Sequence, residues 1–75
     1  MKIRTQDGTR MLDCGDVYIA YTGKSDYVGV YVKSRYYQEA VLAGIYSDAA
    51  RGNGVILEIS LAYRDGKRIF YMPTE

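Results

Sequence analysis

The chain has 75 residues, of which ten are basic and nine acidic, so its net charge is +1 at neutral pH. This length fits one domain, residues 1–75, and the near-neutral charge argues against a general nucleic-acid or membrane-surface binder. With a single cysteine, Cys14, and no histidine, the sequence excludes an intrachain disulfide and a zinc site built from histidine and cysteine.

A chain this short has to find part of its stability outside a large core. Domains of this size bury only about 60% of the surface that the unfolded chain exposes, and they usually depend on disulfides, metal ions or association. We therefore expect a homo-oligomer, in its simplest form a dimer, or a complex with a protein partner that the sequence does not identify. No signal-peptide core and no run of about 18 apolar residues is present, so we expect no membrane span. The unpaired cysteine fits the cytoplasm.

The first half of the chain is typical of strands joined by turns. Gln6-Asp7-Gly8 is a hairpin signal, residues 14–16 mark a second break, and residues 23–26 form a polar turn of suitable length for another hairpin. Residues 36–39 are expected to make a third connection. We expect strands at 2–5, 9–13, 17–22, 27–35, 40–46 and, after a helix, 68–72.

Side-chain alternation assigns faces within these strands. Val28, Val30 and Val32 fall on one face of the strand at 27–35, and Tyr27, Gly29, Tyr31, Lys33 and Arg35 fall on the other. The same reasoning gives the strand at 17–22 a face with Val17, Ile19 and Tyr21, and the strand at 40–46 a face with Val41, Ala43 and Ile45.

Residues 47–66 are the only stretch with the length, the periodicity and the end signals of a helix. Ser47 is a suitable N-cap, and Asp48 places negative charge at the positive end of the helix dipole. Gly66 can take the left-handed conformation that closes a helix. The sequence therefore predicts an α+β domain: an antiparallel sheet of about five hairpin-connected strands, a helix at about 47–65 packed on it, and a final short strand.

The predicted helix carries two apolar stripes. The broad one, expected to lie on the sheet, holds Ala49, Gly52, Val55, Ile56, Ile59, Ala62 and Tyr63. The narrow one, roughly opposite, holds Ala50, Gly54, Leu57 and Leu61. A helix on one sheet needs one apolar face, so we predict that the narrow stripe contacts a second copy of the chain. Two alternatives stay open: the sheet curls over both sides of the helix, or two leucines are simply exposed.

The second half of the chain also matches a pattern of short motifs. The pattern is a Leu-Gly-x-Tyr strand, a Ser or Thr cap, Arg-Ala, then Val-Leu-x-Glu-Ile, and a C-terminal Phe/Tyr-x-Met-Pro. In this the chain resembles a group of small uncharacterised bacterial and phage-like proteins, with matches at Tyr46, Ser47, Arg51, Val55, Glu58, Ile59, Tyr71, Met72 and Pro73. It departs from the pattern at Gly52 and Gly54. The resemblance implies a fold and a bacterial or mobile-element origin, with no activity attached.

No catalytic signature is present in the sequence. Without histidine, a general base would have to be a carboxylate, a lysine, a tyrosine or Cys14. Asp13 and Asp16 flank Cys14, and their charge opposes formation of a thiolate. They could share a divalent cation, but two ligands on one turn are a weak signal. We expect a non-enzymatic structural or interaction protein with no catalytic residue, no metal and no cofactor.

A second hypothesis is weak binding of single-stranded nucleic acid. Tyr31, Lys33 and Arg35 share one face of the strand at 27–35, and alternating aromatic and basic side chains on a sheet can stack on bases and contact phosphates. The near-neutral charge and the lack of a known binding module argue against it.

Overall fold

The computed structural model describes residues 1–24, 26–34 and 36–75; Ser25 of the predicted 23–26 turn and Arg35 at the end of the predicted 27–35 strand lie outside them. The described residues form the elements β1 (Lys2–Arg4), β2 (Met11–Asp13), β3 (Asp16–Tyr21), β4 (Val28–Lys33), β5 (Val41–Tyr46), α1 (Ala49–Arg64) and β6 (Ile69–Tyr71). The predicted α+β class, with its helix near the C-terminus and its final short strand, is confirmed.

The six strands are divided between two three-stranded sheets. The central sheet is an antiparallel meander in the order β3-β4-β5, and the N-terminal sheet has the order β2-β1-β6. In the N-terminal sheet β1 pairs antiparallel with β2 and parallel with β6. The division falls at Cys14-Gly15, where Gly15 lies so close to Lys33 that an added Cβ would stand 2.2 Å from the Lys33 carbonyl oxygen.

Both sheets and the helix contribute to one hydrophobic core. The face predicted to hold Val28, Val30 and Val32 is confirmed, and all three valines are buried at the centre of this core. The whole buried cluster is Ile3, Leu12, Val28, Val30, Val32, Ala43, Tyr46, Val55, Ile59 and Met72. The apolar groups of the two ends of the chain therefore meet the central sheet and the helix in a single packed interior.

The prediction that Val41, Ala43 and Ile45 share one face of β5 is wrong for Ile45. Leu42 pairs with Tyr31 and Gly44 pairs with Val30, so Ala43 is an extra residue that forms a β-bulge. After the bulge the side-chain alternation reverses: Ile45 points outward and is exposed, while Tyr46 points inward and is buried. Gly44 leaves room for the Tyr46 ring, since a Cβ there would lie 2.9 Å from the Tyr46 hydroxyl oxygen.

The helix begins one residue later than predicted. The N-cap is Asp48 and not Ser47, because the Asp48 carboxylate accepts a hydrogen bond of 2.8 Å from the Arg51 backbone N–H. A carboxylate at this position combines the capping hydrogen bond with a favourable interaction with the helix dipole. At the other end Gly66 has a φ of 74°, the left-handed conformation predicted for it.

The broad stripe of α1 lies on the central sheet. Gly52, Val55 and Ile59 are buried, as predicted, whereas Tyr63 in the last turn is 67% exposed and so does not join this contact. Gly52 is the point of closest approach: a Cβ there would lie 2.8 Å from Val28 Cγ2 and 3.2 Å from Ile19 Cγ2. Because Gly52 has no side chain, the helix backbone can pack directly against Val28 and Ile19 of the central sheet.

The edge of the central sheet at β5 is closed by Gln6. The Gln6 backbone N–H donates to the Ala43 carbonyl (2.7 Å), and the side-chain amide accepts from the Ile45 N–H (2.8 Å) and donates to the Ile45 carbonyl (3.1 Å). The same amide nitrogen lies 3.1 Å from the Pro73 carbonyl oxygen and 3.0 Å from that of Thr74. The Gln6 side chain thus forms the hydrogen bonds that a neighbouring strand would form with Ile45, and it also binds the C-terminal segment beside β5.

The two helical glycines are expected to respond in opposite ways to alanine. Gly52→Ala forces a methyl group against the buried Val28, so we expect it to lower the free energy of unfolding by about 1–2 kcal/mol despite the gain in helix propensity. Gly54→Ala meets only Arg51 Nη1 at 3.7 Å and is expected to raise that free energy by about 0.5–1 kcal/mol. Urea denaturation at low protein concentration measures both, and effects of equal sign would contradict this packing.

Gln6→Ala is expected to lower the free energy of unfolding by about 2 kcal/mol, because it leaves the Ile45 backbone groups without their partner. Gln38→Ala is the matched control: Gln38 is also a loop glutamine, its side chain is exposed, and its loss should change stability by less than about 0.5 kcal/mol. Equal stabilities of the two variants would show that the amide does not hold the edge of β5.

Candidate functional site

The narrow apolar stripe of the helix lies on the side turned away from the central sheet. We call Ala50, Gly54, Leu57 and Leu61 the outer helix stripe. Leu57 is 60% exposed and Leu61 39% exposed, and neither belongs to the core or packs against it as a partly buried neighbour. The central sheet therefore does not curl over this side of the helix, and the four predicted residues stand together on one open surface.

Along one flank of the outer helix stripe, two oppositely charged side chains form an ion pair. Arg51 Nη1 lies 2.9 Å from Glu58 Oε2, and Arg51 Nη2 donates to the Glu75 carbonyl at 2.6 Å. The guanidinium also lies over the Tyr46 ring, 5.8 Å from its centroid. Because Arg51 is held by three partners, the stripe is bordered on this side by a fixed ion pair whose charges compensate each other.

The other predicted surface is the face of the central sheet that points away from the helix, which we call the outer sheet face. Tyr31 lies there half-buried under Tyr18, with ring centroids 5.6 Å apart and an angle of 16° between the ring planes. Alternation along β3 puts Tyr18 on the face opposite Val17, Ile19 and Tyr21, but its pairing with Tyr31 requires the register of β3 on β4. Leu42 is exposed on this face, and the bulge in β5 adds Ile45 to it.

The basic part of the predicted nucleic-acid face is weaker than its sequence suggests. Lys33 Nζ donates to the backbone carbonyls of Tyr37 (3.0 Å) and Gln38 (2.7 Å), so its ammonium group is engaged within the chain. Arg35 lies outside the described residues. Of the two predicted side chains that the structure describes, Tyr31 stacks on Tyr18 and Lys33 binds backbone carbonyls.

Cys14 lies between two surface depressions at the junction of the two sheets. One, of about 630 Å³, is lined by Asp13, Asp16, Lys33 and Ser34 among others. The thiol is half-buried, and burial raises its pKa, which opposes thiolate formation. Asp13 forms an ion pair with Lys2, and the hydrogen bond between the two side chains raises the pKa of Lys2. The negative charge of Asp13 is therefore compensated by Lys2. Among the described residues, no three acidic or cysteine side chains lie close enough together to hold a metal ion.

Two other groups have strongly displaced pKa values, and both serve the fold. Hydrogen bonds from the Thr9 backbone N–H and from the Thr5 and Thr9 hydroxyls lower the pKa of Asp7 to about 2. These bonds fix the β1–β2 turn. Burial raises the pKa of Tyr46 to about 12, and its hydroxyl donates to the Pro73 carbonyl at 2.8 Å. Asp7 borders a small surface depression of about 170 Å³, and Tyr46 borders another of about 150 Å³.

Comparison of the chain with protein-family models, with curated proteins and with solved structures finds no match. The resemblance to small bacterial and phage-like proteins, and the origin it implies, therefore stay predictions. Within the described residues, no helix combines the length and the apolar character needed to cross a lipid bilayer.

Proposed function

We propose that this chain is a small, non-enzymatic structural or interaction protein that associates with itself through the outer helix stripe. The observation that carries the proposal is the exposure of Leu57 and Leu61, side by side on the helix, next to the small residues Ala50 and Gly54. Small residues let a second helix approach closely, and the compensated Arg51–Glu58 pair removes one source of like-charge repulsion.

The size of this surface sets the strength of the proposed contact. The exposed parts of Leu57 and Leu61 amount together to about one leucine side chain per copy. Burial of a leucine is worth about 1.5–3 kcal/mol, so two copies gain about 3–6 kcal/mol from the leucines. Association costs at least about 4 kcal/mol in lost freedom of motion. The leucines alone therefore support a weak, concentration-dependent complex, with close packing at Gly54 adding to it.

The proposal includes a biological setting. A free cysteine whose thiol stays protonated fits the reducing cytoplasm, and we place the protein there, in a bacterium or a phage-like element. A protein partner other than a second copy would use the same outer helix stripe, since it is the apolar helix surface that the chain leaves uncovered.

Replacing both exposed leucines by aspartate is expected to break the complex without unfolding the chain. Light scattering at high micromolar concentration should give the wild type a mass of at least twice 8.5 kDa, and Leu57→Asp/Leu61→Asp half of the wild-type mass. Leu42→Asp/Ile45→Asp is the matched control, because it places two charges on similarly exposed apolar side chains of the outer sheet face and should leave the mass unchanged. A monomeric wild type, or a variant with unchanged mass, would end the proposal.

A second candidate function is weak binding of single-stranded nucleic acid by the outer sheet face. The observation in its favour is the stacked pair of Tyr18 and Tyr31, because an exposed ring on a rigid second ring is a platform for a base. The engagement of Lys33 with backbone carbonyls limits the phosphate contacts available to it.

Titration of a labelled oligonucleotide at low and at moderate salt tests this candidate. Binding that depends on phosphates must weaken steeply as salt rises. We expect Tyr18→Ala to reduce the affinity by about tenfold, the value of one stacked base. Tyr63→Ala removes a more exposed tyrosine on the helix, away from the outer sheet face, and should have no effect. The candidate is excluded if no binding occurs at low salt.

A further inference from the structure

The two edges of the central sheet differ in how they are protected. The β5 edge is closed by the backbone and side chain of Gln6. The opposite edge is β3, a six-residue strand in which no residue is fully buried. In the described part of the chain, no hydrogen bond reaches the side of β3 that faces away from β4. A long edge strand that carries one charge and leaves its outward backbone groups unpaired is a template for another strand.

The hydrogen-bonding groups of this open edge can be assigned. The Thr22 N–H donates to the Tyr27 carbonyl at 3.1 Å, and bonded and non-bonded pairs alternate along an antiparallel ladder. The inward-bonding residues of β3 are therefore Tyr18 and Ala20, whose partners are Tyr31 and Gly29. The backbone N–H and C=O groups of Val17, Ile19 and Tyr21 point outward.

The side chains next to this edge indicate what occupies it. Tyr21 is 71% exposed and shares the helix side of β3 with Val17, since both are paired with inward-facing valines of β4. Beside Val17 on that same side runs a groove of about 500 Å³ between β3 and the helix, lined by Ile56, Ser60 and Tyr63 among others. At one end of the edge the Tyr21 ring is exposed. At the other end, beside Val17, the groove is open and can receive a side chain.

We infer that β3 pairs antiparallel with β3 of a second copy, about a two-fold axis at Ile19. In this register Val17 lies opposite the partner's Tyr21, so each copy inserts Tyr21 into the groove of the other. Six backbone hydrogen bonds form, from Val17, Ile19 and Tyr21 of both copies. On the outer sheet face Tyr18 meets the small Ala20, and Asp16, the single charge in β3, meets the neutral Thr22.

This contact joins two central sheets into one continuous sheet and is separate from the outer helix stripe, which lies on the far side of the helix. A chain with two self-complementary surfaces assembles beyond a dimer. The inference goes beyond the proposed function and does not depend on it.

Disulfide cross-linking tests the register directly. In a Cys14→Ser background, Tyr18→Cys/Ala20→Cys places two cysteines opposite two others across the axis, in non-hydrogen-bonded pairs whose Cα atoms lie about 4.5 Å apart. Mild oxidation should convert this variant to a covalent dimer. Ala20→Cys alone has no cysteine opposite it and should stay monomeric on a denaturing gel. Circular dichroism confirms that both variants are folded. Equal cross-linking of the two variants, or none, would overturn the register.

A second measurement separates this contact from the helix contact. In the Leu57→Asp/Leu61→Asp background, the remaining dimer should dissociate about tenfold more readily when Tyr21→Ala is added. Tyr71→Ala removes a comparably exposed tyrosine from β6 and should not affect it. If the leucine variant is monomeric at every concentration and the cysteine pairs do not cross-link, β3 does not pair, while the helix contact stands. If the leucine substitutions change nothing but cross-linking occurs, the edge pairs and the helix contact is wrong.

Discussion

The contact between Gly52 and the valine face of β4 determines the rest of this structure. Val28 fills the space that a side chain at Gly52 would need, so the helix lies this close to the central sheet with Gly52 facing Val28. That orientation buries Val55 and Ile59 and leaves Leu57 and Leu61 on the far side. The exposed stripe is therefore a direct result of how the helix meets the sheet. A helix rotated by one residue would hide part of that stripe and open the core.

The sheet edges follow a similar division between closed and open surfaces. Gln6 covers the β5 edge because the β1–β2 turn brings it there, and the C-terminal segment is fixed to the same place by Gln6 and by the Tyr46 hydroxyl. Residues near both ends of the chain thus make contacts on the β5 side of the central sheet. Nothing in the described residues serves the β3 side in this way. The residues that cover the β5 edge lie on the side of the central sheet opposite β3.

Local patterns in the sequence predicted the parts of the fold that depend on local geometry. The alternation of valines in β4 and the period of the helix each have one arrangement that buries apolar side chains, and both were found as expected. The outer helix stripe followed from the same period. The N-cap was misplaced by one residue, because Ser47 and Asp48 are both good caps and the sequence alone does not choose between adjacent candidates.

The features that sequence reasoning missed depend on contacts between distant residues. The bulge at Ala43 reverses the faces of Ile45 and Tyr46, and no turn residue signals it. The role of Gln6 as a strand partner joins residues 39 positions apart and has no pattern of its own. The separation into two sheets rests on the parallel pairing of β1 with β6, which no local alternation can reveal. The open edge of β3 could be recognised only once the closed edge of β5 was known.

The parallel pairing of β1 with β6 also constrains the order in which the chain can fold. β1 lies between β2 and β6, and the Lys2 N–H and the Arg4 carbonyl bond to backbone groups of residues 68 and 72, almost the full length of the chain away. Loops this long close slowly compared with the short turns of the central meander. On a ribosome, β1 would emerge early and wait for its second neighbour until β6 had been synthesised. During that interval the strand is held by β2 alone, and chaperones that recognise unpaired apolar strands would find Ile3 accessible.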